Sequence, residues 1–241
     1  MVKLLILLFS GLKFGKLLTT GGTMLLSVVA YAFMFGWRYA VGLVVLLFVH
    51  EMGHYVAARQ RGLAVGAPTF IPFVGAWIDL KDQPMNVETE AHIGLAGPVA
   101  GTVGAMLCYG LARWTDSQLL LALAYAGCFL NLFNLIPLAP FDGGRITAVL
   151  SPRIWFLGVP VLVALFVWRA SPFLVLVAIL AVPQLMKAWH YDPDAPENRA
   201  YYSISAEARL TFTVYYLGLV VFLAMMAYEL HDMLELVRPA G

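Results

Sequence analysis

The chain has 241 residues, of which 61% are apolar and 12% charged, against roughly 45–50% and about 25% in soluble domains. A mean hydropathy of +0.82 leaves too few charges to coat a globule of this size and excludes disorder. Net charge is +1, from 15 basic and 14 acidic residues, so there is no electrostatic footprint for nucleic acid. The lipid bilayer is the solvent this composition fits. Cys108 and Cys128 both lie in apolar runs and read as small buried residues.

At the N-terminus, the short apolar run Leu4–Phe9 lies between lysines and lacks a small-residue cleavage site. Met1–Lys16 therefore reads as an interfacial helix rather than a signal peptide. A crossing helix needs about 20 mostly apolar residues. Such stretches fall near Leu17–Gly36, Tyr39–Val56, His92–Ala112, Gln118–Pro137, Ile154–Trp168, Pro172–Trp189 and Leu210–Leu230. The expected fold is an all-α membrane protein of about seven transmembrane helices. Lys and Arg alternate between the connecting segments, with 11 on one side against 4 on the other. By the positive-inside rule the N-terminus is cytoplasmic and the C-terminus outside. The polar stretches Arg59–Glu90 and His190–Arg209 are too short for separate domains, so residues 1–241 read as one membrane domain.

Span two runs directly into His50-Glu51-Met52-Gly53-His54. Residues four apart share a helix face, so both imidazoles can reach one ion. Glu51 adjoins the first of them, where it can take a proton from a zinc-activated water. H-E-x-x-H is the zincin signature, and charged groups inside a span cost at least ~2.5–3.5 kcal/mol without partners. The bland alternative is a polar helix end snorkelling to the interface, which Arg59 and Arg61 show to be close. His92, His190 and His231 are isolated near span ends and read as interface residues.

A catalytic zinc usually takes three protein ligands. The best further candidate is Asp142, in Asn131-Leu-Phe-Asn134-Leu-Ile-Pro137-Leu-Ala-Pro140-Phe-Asp142-Gly143-Gly144. Pro137 and Pro140 interrupt the helix, and the glycines permit a turn that aims Asp142 into the bundle. Its alternative is a cap on a following helix through Gly144–Leu150. The intervening span carries Gly94, Gly97, Gly101 and Gly104 at helical spacing, a small face that either holds the metal-bearing helices together or serves generic packing or dimerisation. Between spans two and three, the β-prone runs Thr69–Ile71 and Ala76–Leu80 flank Pro72–Gly75. They read as a small β-hairpin beside the site, or as an apolar connector on the headgroups.

The paired motifs resemble the site-2 protease family of intramembrane zinc metalloproteases, in a short form without PDZ or CBS domain. The matching residues are His50, Glu51 and His54, then Asn134, Pro137, Pro140, Asp142 and Gly143, with Ala96-Gly97-Pro98 as a weaker third likeness. Many relatives place a small polar residue three positions after that proline; here it is Gly101, so no polar role carries over. The likeness covers roughly residues 43–144, under half the chain.

It implies one Zn²⁺ per chain on His50, His54 and Asp142, Glu51 as general base, and Asn134 as a donor to substrate or oxyanion. Residues 39–150 would form the catalytic core and 151–241 additional spans. The implied substrate is a membrane-anchored protein, cleaved in or beside its transmembrane helix from the cytoplasmic side. It would be presented as a strand to the β-element. Gating would fall to the chain itself, a regulatory membrane partner or prior trimming of the substrate. Rival readings are a CAAX-processing type of membrane zincin with a glutamate ligand, from Glu88, Glu90, Glu197, Glu207, Glu229 or Glu235, and a non-proteolytic transporter or metal-binding regulator.

Overall fold

The computed structural model describes residues 12–72, 75–77, 82 and 84–237; the Leu4–Phe9 run lies outside them. The protein is mostly helical. In chain order, α1 is Leu12–Phe35, α2 Trp37–Gln60, β1 Thr69–Ile71, β2 Gly75–Trp77, α3 Val87–Thr115, α4 Gln118–Asn134 and α5 Asp142–Thr147. A 3-10 turn, Pro152–Leu157, precedes α6 Gly158–Trp168, α7 Pro172–Trp189, α8 Pro196–Tyr201 and α9 Ala206–Val237.

Among the described residues, four helices are long and apolar enough to cross a membrane: α2, α3, α7 and α9. Three shorter apolar helical stretches, Thr19–Phe35, Gln118–Asn134 and Pro152–Trp168, occupy the other expected positions. Within the described residues α1 runs from Leu12, so Lys13 and Lys16 share a helix with the first apolar stretch; the rest of the expected interfacial segment lies outside them. The stretch expected over Ile154–Trp168 is divided into the 3-10 turn and α6.

Local chemistry sets the boundaries. Helices α1 and α2 are joined through Gly36 alone, at φ +81°, a backbone region a side chain would strain. The Asn86 side chain caps α3 by accepting the Thr89 N–H at 2.9 Å, with Glu88 and Glu90 in the first turn favoured by the helix dipole. Ser171 caps α7 ahead of Pro172, whose missing N–H costs nothing at a helix start.

Helix α3 is the hub, packing against α2 on one side and α4 and α5 on others, while α9 lies along α4. The buried share of the four long apolar helices falls from 44% in α2 through 33% in α3 and 22% in α7 to 11% in α9. The motif-bearing helix thus lies innermost. Strands β1 and β2 pair antiparallel, Thr69 opposite Trp77 and Ile71 opposite Gly75. The Phe70 N–H is bound by Thr23 Oγ1 of α1 at 3.2 Å, and Thr20 Oγ1 donates to Pro68 O at 2.7 Å. Residues 78–80 of the second expected run lie outside the described residues.

Between α4 and α5 the chain is irregular, as Pro137 and Pro140 require. Backbone that leaves its helix at membrane depth needs partners from protein. Here they come from far along the sequence: Tyr216 of α9 donates its hydroxyl to Leu135 O at 2.7 Å, and Trp155 Nε1–H donates to Gly144 O at 2.7 Å. Gln184 of α7 accepts the Ala139 N–H through Oε1. Tyr216→Phe leaves a buried carbonyl without its donor, a loss of about 1–3 kcal/mol. Denaturation in detergent should show a lower midpoint than wild type; an unchanged midpoint would mean that the carbonyl finds another donor.

Candidate metal centre

Helix α2 places His50, Glu51 and His54 in the protein interior, at 7%, 5% and 7% exposure. Ligand atoms of the three lie within 4.8 Å of one another, and this is the metal-capable trio of His, Cys, Asp or Glu found among the described residues. Asp142 comes closer still to the imidazoles. Its Oδ2 lies 3.1 Å from His50 Nε2 and 3.2 Å from His54 Nε2, and the two Nε2 atoms are 3.1 Å apart. Asp142 does not cap a helix over 144–150: the capping position of α5 belongs to Phe141, and the Asp142 side chain turns inward to the histidines.

The outer nitrogens decide what the inner ones can be. His54 Nδ1 is 2.7 Å from the Ile93 carbonyl, which can only accept, so Nδ1 carries the proton. His50 Nδ1 is 2.8 Å from Asn131 Oδ1; Asn131 Nδ2 is already spent donating to Gly127 O at 2.7 Å. In their neutral forms both imidazoles therefore turn an Nε2 lone pair inward, toward each other and toward a carboxylate oxygen. A cation turns that mutual repulsion into coordination.

The spacing fits such an ion. Ligand atoms 2.0–2.2 Å from a tetrahedral zinc stand about 3.3–3.6 Å apart, and the observed triangle edges of 3.1–3.2 Å lie just short of that range. Nitrogen, nitrogen and carboxylate oxygen is also a zinc donor set, with a fourth position left for water or substrate.

Glycines let the helices close around this point. A Cβ on Gly97 would fall 2.2 Å from His54 Nε2, and one on Gly53 would fall 2.3 Å from Ala96 O. The predicted glycine face of α3 meets residues of the chain's own bundle: Arg145 at Gly94, His54 at Gly97, Asn131 at Gly101 and Leu46 at Gly104. It holds the site's elements together rather than standing free for dimerisation.

Asn134 sits at the end of α4, and its Nδ2 donates to Leu130 O at 3.1 Å, within its own helix. His190 bonds Met186 O, and the exposed His231 faces Glu235 at 3.6 Å. The candidate glutamates after His54 do not join the trio. Glu90 is engaged elsewhere, accepting the Tyr201 hydroxyl on Oε2 and facing Arg145 Nε at 3.9 Å through Oε1. Arg145 Nη1 in turn stands 4.0 Å from Asp142 Oδ1. Burial, then the Glu90 carboxylate, holds the Tyr201 phenol far above its usual range, so it remains a donor.

Sequence reading missed this outer chain and missed Asn131. The cue for Asn131 was available, since an amide inside an apolar helix demands partners. Glu90, Arg145 and Tyr201 meet only through tertiary contacts and left no cue.

The model for Peptidase family M50 matches residues 38–115, which span α2, both strands and α3. The chain is similar to zinc metalloprotease MJ0392 of Methanocaldococcus jannaschii, 33% identical over 125 residues, or 48% of this chain and 36% of that protein. It is similar also to putative zinc metalloprotease Rip3 of Mycobacterium tuberculosis, at 34% over 116 residues covering 44% and 29%. A third relative is the probable zinc metalloprotease EGY1, chloroplastic, of Arabidopsis thaliana, at 29% over 84 residues covering 33% and 15%. The match thus reaches about a third of the length of the first two relatives. Over residues 38–115, which carry the zincin motif, the chain is similar to Peptidase family M50 and to the zinc metalloproteases that share this segment.

Proposed function

We propose that this protein is an intramembrane zinc endopeptidase that hydrolyses a peptide bond in or beside the transmembrane helix of a membrane-anchored protein. The observation that carries the reading is the convergence of His50 Nε2, His54 Nε2 and Asp142 Oδ2 at 3.1–3.2 Å, with each imidazole's Nδ1 already bonded. His50, His54 and Asp142 hold the metal, one per chain. When bound, zinc supplies Lewis acidity, which makes a water acidic enough to ionise near neutral pH.

Glu51, beside the ligands on the same helix, takes the proton of the attacking water on its carboxylate. As the carbon–oxygen bond forms and the carbon–nitrogen bond breaks, Glu51 returns that proton to the departing amine. Asn134 supplies an N–H to the substrate carbonyl or to the oxyanion, exchanging its present bond to Leu130 O. A substrate helix must first unwind, because its amides are engaged internally. The β-element receives it as an added strand. The outer side of β1 is already engaged by Thr23 of α1, which favours β2 as the receiving edge.

The seven apolar helical stretches fit a multi-pass cell-membrane protein with seven crossings. The charge alternation puts the N-terminus in the cytoplasm and the C-terminus outside. His50 follows about 11 apolar residues of its span, ~17 Å along the helix, which puts cleavage on the cytoplasmic side. A regulatory membrane partner would act on this bundle.

Metal content measured on purified protein, alongside cleavage of a model transmembrane substrate, tests the assignment. Glu51→Gln should keep about one zinc per chain and lose cleavage by roughly 10²–10⁴-fold. Asp142→Ala should lose zinc affinity as well as cleavage. Normal cleavage by Glu51→Gln would overturn the general base, and zinc binding indifferent to Asp142→Ala would overturn the third ligand. Gly97→Ala places a methyl where His54 Nε2 lies and should weaken zinc binding by at least about tenfold. Equilibrium dialysis against a zinc buffer reads this, and an unchanged affinity would contradict the packing described.

A further inference from the structure

Asn131 lies in an apolar helix at 4% exposure, where a carboxamide is costly unless both its ends are bonded. Both are. Nδ2 donates to Gly127 O at 2.7 Å within α4, and Oδ1 lies 2.8 Å from His50 Nδ1 on α2. Because the Gly127 carbonyl can only accept, the amide cannot be turned over without facing two acceptors together. Oδ1 must therefore face the imidazole.

Room for the group comes from a third helix. A Cβ on Gly101 of α3 would fall 2.3 Å from Asn131 Oδ1 and 2.6 Å from Nδ2. Any side chain at position 101 would push the carboxamide off His50. Gly101 and Asn131 are thus one device made of an absent side chain and the group that fills its place.

We infer that Asn131, seated against Gly101, is a positioning residue for the metal: it holds His50 in the tautomer that presents Nε2 to the ion. Histidine ligands are oriented by the acceptor on their other nitrogen, and removing such an acceptor typically costs 10–100-fold in metal affinity. His54 gets its acceptor from the Ile93 backbone carbonyl, which no side-chain substitution deletes. His50 depends on a side chain. The orienting shell is asymmetric, with its substitution-sensitive half at Asn131. The inference rests on the metal-centre reading above.

The test uses the full chain purified in detergent, with zinc affinity measured by chelator competition and the visible spectrum of the Co²⁺-loaded protein recorded beside it. Asn131→Leu keeps the size and removes the acceptor; it should bind zinc about 10–100-fold more weakly and change the Co²⁺ bands. Asn131→Asp keeps an acceptor for His50 while losing the donor to Gly127 O, so it should bind zinc more tightly than Asn131→Leu, with Co²⁺ bands nearer those of wild type. Gly101→Ala should weaken binding in the wild-type background. In an Asn131→Ala background, with the carboxamide gone, it should add less than about twofold.

Zinc binding by Asn131→Leu equal to wild type would overturn the inference alone. So would equal losses in Asn131→Asp and Asn131→Leu, with circular dichroism showing both folded, or independent effects of the changes at 101 and 131. A wild-type chain that binds no zinc would overturn the metal centre itself, and this inference with it.

Discussion

Three lone-pair-bearing atoms held 3.1–3.2 Å apart inside an apolar bundle repel one another unless a cation joins them, and the rest of the structure answers to that constraint. Two of the atoms come from one helix face and the third from a segment some ninety residues later. For the third to arrive, α4 must stop short and the chain must turn back at depth, which Pro137 and Pro140 bring about. For α3 to lie between them, it must carry no side chain where His54 and Asn131 pass, hence Gly97 and Gly101. The pattern of small residues, the helix break and the polar residues within spans follow from one requirement.

The turn has its own consequence. Leaving the helix exposes backbone groups that hydrocarbon cannot satisfy. Tyr216, Trp155 and Gln184 satisfy them from α9, the 3-10 turn and α7. Residues 151–241 therefore support the Asp142 segment directly instead of only adding apolar helices around it. Tyr201, Glu90 and Arg145 continue the support on another side, ending at the Asp142 oxygen turned away from the histidines.

How much of this the sequence disclosed depends on the range of each interaction. His50, Glu51 and His54 were legible because a helix fixes their relation over four residues. Asp142 was legible only through the Pro/Gly pattern around it and its likeness to a family. Whether it capped a helix or turned inward is decided by tertiary packing. The glycine face of α3 was legible as a face, yet its partners were not, because spacing cannot say which neighbour approaches. Asn131 shows the limit most clearly: its cost in an apolar helix was visible, but its acceptor role needs α2 and α4 side by side. The start of α3 moved from the expected His92 to Val87 because the Asn86 cap, rather than the apolar run, sets that boundary.

The central claim is the ligand set, and X-ray absorption at the zinc edge of the purified protein tests it most directly. The account predicts zinc in a four-coordinate shell of nitrogen and oxygen at roughly 2.0–2.2 Å, with outer scattering from two imidazoles and no sulfur. A shell holding sulfur at about 2.3 Å, a single imidazole, or no bound zinc in active protein would contradict it.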